Sequence, residues 1–445
     1  MSSTFNQINL NKVLIIDNGG YNLKVATSTT TSSTPIQLSS GSPLNFSNGS
    51  VVFNASNNGG STSNQSMGNV TPTMTSINSN SSSVNNTSTT STPPLIIPNH
   101  MAKMDQTIYM GDDLVNLYNS NPTQQQIIKT RNPMDKGFVV DWDLEKEIWD
   151  SVLKRDDLKI KPTEYSLLLT EAPFALDEIR KSLYQVVFEK YRFKSLSLQT
   201  PATLALLNHR QKTSTSALSP PCHLVVDCGY SWTTIIPHFQ NTKLNYAIKR
   251  FAVGGKLLTN YLRDLIGSRH QQSCDFSMKS LNQIKEKSCY LSMDFIRDLN
   301  QCKLTPDQYS QGVSSSMPML TNERFSVPEL IFNPSDIGIQ QAGLAESIVQ
   351  SVQCTNINLH QSLYSNILLI GGSTMFPNFK ARLENDLRRL IPDQYSINIV
   401  HAEDPILYPI YGAIKLSQQP DFHKYSCLKQ EYDECGPSLC NRKFF

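Results

Sequence analysis

The sequence lacks charge over a long stretch: from Val25 to Ala102 it holds no Asp, Glu, Lys or Arg. Ser, Thr and Asn dominate residues 28–92, and such a segment cannot bury enough apolar surface to offset its ordering entropy. It is expected to be a disordered insertion, which a surface loop tolerates because closure entropy grows only with the logarithm of length. An excess of one charge is also missing. With 39 Lys and Arg against 37 Asp and Glu, the net charge is +2, which excludes global attraction to nucleic acid or to a membrane. No apolar run approaches the roughly 18 residues of a membrane span, and residues 1–12 lack the basic start and apolar core of a secretory leader. An intracellular chain without membrane contact is expected. The nine cysteines contain no CxxC pair, which argues against a zinc site or a disulfide framework and for reduced thiols. Cys435 and Cys440, the closest pair, read as a bland tail.

What is present is one pattern written twice. Val13-Leu14-Ile15-Ile16-Asp17-Asn18-Gly19-Gly20-Tyr21 returns as Leu224-Val225-Val226-Asp227-Cys228-Gly229-Tyr230, and an apolar run resumes at Leu23 to Ala26 or at Ile235 and Ile236. Short β-branched runs bounded by Gly read as buried strands, and a Gly between them lets backbone N–H groups approach an anion. Two such hairpins, facing each other, suit one phosphate chain. Lys24 adds a positive charge, and the two aspartates suit the water shell of Mg²⁺ or Ca²⁺. At 445 residues the chain has room for two or three domains.

Between the copies, Asp143 is the expected N-cap of a helix carrying Leu144, Ile148 and Leu153 on one face. Asp177 to Tyr191 reads as a single amphipathic helix. Past the second copy, Val253-Gly254-Gly255-Lys256 opens a helix, Ile284 to Tyr290 continues one, and the apolar strand Asn366 to Ile370 runs into Gly371-Gly372-Ser373-Thr374-Met375-Phe376-Pro377. That strand–Gly-Gly–helix junction is a third phosphate- or nucleoside-facing candidate.

These residues resemble the actin superfamily, over nearly the whole chain except about 28–92 and the loop near 300–320. Asp17-Asn18-Gly19 with Lys24 resembles its first phosphate loop, Asp227-Cys228-Gly229 its second, and Leu369 to Pro377 its adenosine loop. Gly255-Lys256 and Lys285-Glu286 match positions that hold ribose and base. The resemblance implies an α/β, actin-like ATPase fold: duplicated ribonuclease-H-like lobes around a nucleotide cleft. It assigns 11–27, 93–210 and 390–445 to the first lobe and 222–389 to the second. ATP or ADP with Mg²⁺ or Ca²⁺ is the implied cofactor. Asp17, Gly19, Gly20, Lys24, Asp227 and Gly229 would face the phosphates, with Asp17 and Asp227 reaching the metal through water. Gly255, Lys256, Lys285, Glu286, Gly371, Gly372, Ser373, Met375 and Phe376 would face the adenosine.

Departures from the family pattern carry further expectations. Gly20 stands where actin has a serine that binds the terminal phosphate, and Pro405 lies where a lysine flanks the base, which predicts weak binding. Pro201 falls, by ungapped counting, where a glutamine orients the attacking water; Gln199 lies two residues away in a segment of open register. Hydrolysis depends on positioning the nucleophile, so slow or absent ATPase activity is expected and no catalytic residue is assigned. The apolar plug loop of actin corresponds to Asp336-Ile337-Gly338-Ile339, where a carboxylate argues against a homo-filament.

Within the superfamily, Asp227 to Ser231, Val253 to Asn260 and Phe325 to Ile339 resemble a nuclear branch of the actin-related proteins. That branch implies a scaffold subunit, mainly nuclear with some cytoplasmic chain, of a Swi/Snf-related remodelling complex that exchanges a variant histone into nucleosomes. Its implied partners are the large motor ATPase, a zinc-finger HIT-type subunit, and nucleosomes or histones, directly or through the complex. The alternatives are a cytoskeletal, filament-forming ATPase and, further off, a sugar kinase or chaperone ATPase.

Overall fold

The computed structural model describes residues 12–29, 93–104, 106–120, 129–213, 220–270, 276–310 and 319–444. Residues 30–92 of the expected insertion lie outside the described residues, as does Cys274. Ser28 and Thr29 belong to a strand, Asn22–Thr29, so the chain is ordered two residues further than expected.

The doubled sequence pattern becomes doubled topology. In the first sheet, Lys12–Asn18 pairs antiparallel with Asn22–Thr29 and parallel with Ser166–Thr170, which pairs parallel with Ser195–Gln199. In the second, Cys222–Cys228 pairs antiparallel with Thr233–Phe239 and parallel with Ile367–Ile370, which pairs parallel with Ile399–His401. Each sheet is six-stranded. Leu95–Pro98 and Cys427–Leu428 complete the first, and Thr242–Lys243 and Lys249–Phe251 the second. Val13 to Ile16 and Leu224 to Val226 are buried throughout, as expected of central parallel strands covered on both faces.

Ile399–His401 places the return to the first lobe later than the expected residue 390, because this strand extends the second sheet. The expected N-cap at Asp143 moves to Asp141, whose side chain accepts from the Leu144 N–H and starts the helix Trp142–Leu153. The expected helix over Asp177 to Tyr191 divides into an α-helix, Asp177–Tyr184, and a π-helical turn, Gln185–Lys190. That turn keeps Val186, Val187 and Phe188 buried together.

Two helices carry the chain between the sheets. Pro201–Thr213 leads out of the first and Tyr408–Ser417 follows the last strand of the second. Leu204 packs with Val13, Ile15 and Ile410 under the first sheet. Ala202, Ala205 and Leu206 pack with Val225, Ile236 and Tyr408 under the second. The first half of Pro201–Thr213 is apolar on the faces toward both sheets, as burial between them requires, and its second half, from Asn208, is polar. The helices touch where Gly412 meets Leu204: a Cβ at 412 would lie 1.8 Å from the Leu204 carbonyl oxygen. No helix among the described residues is long and apolar enough to cross a membrane.

Candidate functional site

The two Asp-x-Gly turns meet. Tyr21 and Tyr230, each at the end of its turn, stack with ring centroids 4.9 Å apart. Gly20 abuts Ser231, and a Cβ at position 20 would fall 2.4 Å from the Ser231 hydroxyl oxygen. A side chain on Gly20 would need Ser231 to shift, so the serine hydroxyl at this meeting point comes from the second turn. Behind the turns lies a cavity of about 620 Å³, within the size range of small-molecule sites.

Of the expected phosphate-facing residues, Asp17, Gly19, Gly20, Lys24, Asp227 and Gly229 all line this cavity. Their electrostatics differ sharply. Asp17 is buried and fully engaged: Lys24 Nζ donates to Oδ2 at 2.7 Å and Thr170 Oγ1 donates to Oδ1 at 2.6 Å. Thr170 also accepts from the Asn18 N–H at 3.0 Å, which ties the neighbouring strand to the turn. The carboxylate of Asp227 has no hydrogen-bond partner among the described residues. Burial pushes its pKa up to about 6, with Asp17 adding to the rise and Lys24 opposing it. A carboxylate partly withdrawn from water without a partner carries a cost that a cation would offset. Hard carboxylate oxygens suit Mg²⁺ or Ca²⁺, and the described residues contain no cluster of three His, Cys, Asp or Glu for direct ligation.

At the opposite end, Gly255, Lys285, Glu286, Gly371, Gly372, Ser373, Met375 and Phe376 line the cavity. Gly371 has φ +90°, and a Cβ there would lie 2.6 Å from Asp227 Oδ1 and 2.5 Å from the Cys228 carbonyl oxygen. Only glycine brings this junction so close to the second turn. Two lysines depart from expectation. Lys256 does not line the cavity; its ammonium faces Asp135 at 3.7 Å. Lys285 does line it, but its ammonium donates to Gly255 O, Thr259 Oγ1 and Asn282 Oδ1 at 3.0, 3.0 and 2.8 Å. Those bonds match its three N–H groups. Burial lowers its pKa to about 8, and it acts as a strut under the Gly255 turn. Glu286, oriented by Asn282 Nδ2 at 2.7 Å, is the acceptor left for a hydroxylated ligand.

Sequence reasoning missed three contributors. Thr170 is a strand end whose role appears only once Asp17 lies alongside it. Arg250 sits over the Trp232 ring at 4.2 Å and donates to Pro173 O at 2.9 Å, and Trp232 donates to the Lys136 carbonyl, so the lobes are tied together on this side too. Asn282 was a plain polar residue in a helix. Near residue 200, Pro201 lines the cavity with Ala202, whereas Gln199 pairs with Thr170 in the sheet.

Comparison with known proteins agrees with this architecture. A family model described as Actin matches residues 88–445. The chain is 44% identical to actin-related protein 6 of Dictyostelium discoideum, over 81% of this chain and 91% of that one. It is 37% identical to actin-related protein 6 of Arabidopsis thaliana, over 71% and 85% of the two chains. For actin-related protein 6 of Drosophila melanogaster the identity is 31%, over 69% and 84%. The duplicated sheets, the paired acid turns and these matches together make the chain a member of the actin family, in its actin-related protein 6 branch.

Proposed function

We propose that this chain is a nucleotide-stabilised scaffold: a nuclear subunit of a Swi/Snf-related remodelling complex that exchanges a variant histone into nucleosomes. The observation that carries the nucleotide reading is the meeting of both acid turns at one cavity with Asp227 left unpartnered. ATP or ADP with Mg²⁺ or Ca²⁺ supplies phosphate oxygens and the cation that Asp227 lacks. Asp17 and Asp227 hold the metal's water shell, Lys24 the phosphates, and the Gly19 and Gly229 turns approach them closely. Glu286 and the Gly371–Phe376 segment take the nucleoside. Ser231 supplies the hydroxyl that Gly20 does not, so terminal-phosphate recognition moves to the second turn. Ligand bound to the folded state stabilises it by mass action and clamps the lobes.

Binding without efficient hydrolysis is the reading that the lining favours. Pro201 and Ala202 bring no hydrogen-bonding side chain, and Ile236 lies beside Ala202. Glu171 is engaged by Arg180 at 2.8 and 2.6 Å. Positioning of a water nucleophile is therefore poor. Against filament formation, Ile337 and Ile339 pack on the second lobe's core while Asp336 is exposed. The loop offers a neighbouring subunit a carboxylate in place of an apolar plug.

The chromatin reading rests on the resemblance of Asp227 to Ser231, Val253 to Asn260 and Phe325 to Ile339 to the nuclear branch, which implies the motor ATPase and a zinc-finger HIT-type subunit as partners. Thermal unfolding with and without Mg·ATP or Mg·ADP tests the cleft: an upward shift with either is expected, and none would overturn the nucleotide reading. Single-turnover hydrolysis at an actin-like rate would overturn the scaffold reading. Pelleting in magnesium and potassium should leave the chain in the supernatant; a pellet would favour the filament-forming alternative. Affinity purification from nuclei should recover remodelling subunits, and recovery of cytoskeletal partners alone would end the chromatin assignment.

A further inference from the structure

The cysteine closest to Cys440 in sequence is not its neighbour in space. Cys435 is exposed, whereas Cys440 meets Cys427, their sulfurs 2.6 Å apart and both side chains fully buried. Cys427 lies in the two-residue strand Cys427–Leu428 at the edge of the first sheet, paired opposite Leu196. Cys440 lies on the helix Pro437–Lys443.

That helix is pinned just past the thiol. Tyr184 Oη donates to Asn441 Oδ1 at 2.9 Å, and the Tyr184 and Phe444 rings lie 6.4 Å apart. Lys443 Nζ donates to the Ser426 carbonyl at 3.2 Å and to both Glu431 oxygens at 2.8 and 2.6 Å. These contacts hold one sulfur against the other through elements that meet only in the folded chain.

We propose that Cys427 and Cys440 form a built dithiol that peroxide oxidises to an intramolecular disulfide, fastening the terminal helix to the edge strand. One thiolate attacks a peroxide oxygen, the O–O bond breaks, and a sulfenic acid forms as hydroxide leaves. The second sulfur then attacks the first, the S–S bond forms, the S–O bond breaks, and water leaves. Two thiols lose two electrons and two protons, and one hydrogen peroxide becomes two waters. Because the first sulfur lies against the second, the closing step competes well with over-oxidation to sulfinic acid.

Burial slows the first step, which requires the short terminal helix to open, as helices at the edge of a fold do more readily than the core. In a reducing compartment the pair rests as thiols and the cross-link is a response to oxidant. Once formed, it closes the segment 427–440, restricts the unfolded chain, and keeps the acidic helix Lys429–Cys435 seated between the two attachment points.

The test uses the full chain, reduced, freed of reductant and titrated with hydrogen peroxide, followed by alkylation and peptide mapping. The expected product is a monomer linking the peptides of Cys427 and Cys440, with a thermal midpoint raised by roughly 3–8 °C and restored by dithiothreitol. Replacing the two exposed cysteines among the described residues, Cys354→Ser and Cys435→Ser, should leave that product intact, while Cys427→Ser should abolish it. Mapping of the unaltered chain decides the matter even where Cys427→Ser fails to fold. Cross-links confined to Cys354 or Cys435, with Cys427 and Cys440 alkylated, would overturn the proposal, as would sulfinic acid at either sulfur without a link.

Discussion

The two acid turns share a fold and differ in how their carboxylates are satisfied. Asp17 pairs across its hairpin with Lys24 and takes the Thr170 hydroxyl from the adjoining strand. At the matching register Asp227 faces Thr234 across its hairpin and Ile370 on the adjoining strand, whose side chain has no hydroxyl to give. Duplication kept the backbone while the charge balance diverged. The first turn is complete within the protein, and the second is left open, which under the proposed function is the place of a cation.

The largest expected effect comes from undoing the complete turn. Lys24→Ala leaves Asp17 buried against Asp227 with no counter-charge, a loss on the order of 3–5 kcal/mol, read from the denaturant midpoint of the ligand-free chain. A change below about 1 kcal/mol would mean that the two turns are not unequal in this way.

A smaller effect of opposite sign is expected from Asp227→Asn. With its folded pKa near 6 against an ordinary 3.8, Asp227 binds protons more readily in the folded state. Its contribution to stability therefore falls as pH rises through that window and is least favourable above it. The amide should stabilise the ligand-free chain at neutral pH by roughly 1–3 kcal/mol and flatten the pH dependence between about 4 and 6. It should also remove the stabilisation given by divalent cation with nucleotide. An unchanged cation response in this variant would show that Asp227 does not serve the metal.

The finest test separates the turns by their hydroxyl. Ser231→Ala should weaken ATP binding about five- to tenfold, the scale of one hydrogen bond of about 1 kcal/mol, and leave ADP binding nearly unchanged. Equal loss for both nucleotides would place Ser231 away from the terminal phosphate. Gly20→Ser alone should disturb the junction through its clash with Ser231, and Ser231→Gly added to it should relieve that clash.

The hairpins were legible because the chemistry is local: β-branched runs, an acid at the strand end and a glycine turn occupy nine consecutive residues. The Gly371-Gly372 junction was legible for the same reason. Thr170 and Arg250 were not, because each acts on a group far away in sequence, and only the parallel pairing of Ile16 with Leu169 brings Thr170 beside Asp17. Lys285 was found for a property it does not use: a lysine in a cleft suggests a ligand contact, but its donors are spent on three protein oxygens. Residue 390 was a poor boundary because Ile399–His401 is too short to announce its sheet. The meeting of Cys427 with Cys440 was not legible, because the chain turns through a helix between them before the sulfurs meet.

Gly412 against Leu204 has a mechanical consequence. Both stretches of chain that cross from one half of the molecule to the other are clasped there, main chain against main chain, with no side chain between them. A clasp of this kind resists sliding more than turning, so any relative motion of the two sheets is expected to be a swing about that point. A bulkier residue at 412 would force the two helices apart at the pivot, since a Cβ there already overlaps the Leu204 carbonyl.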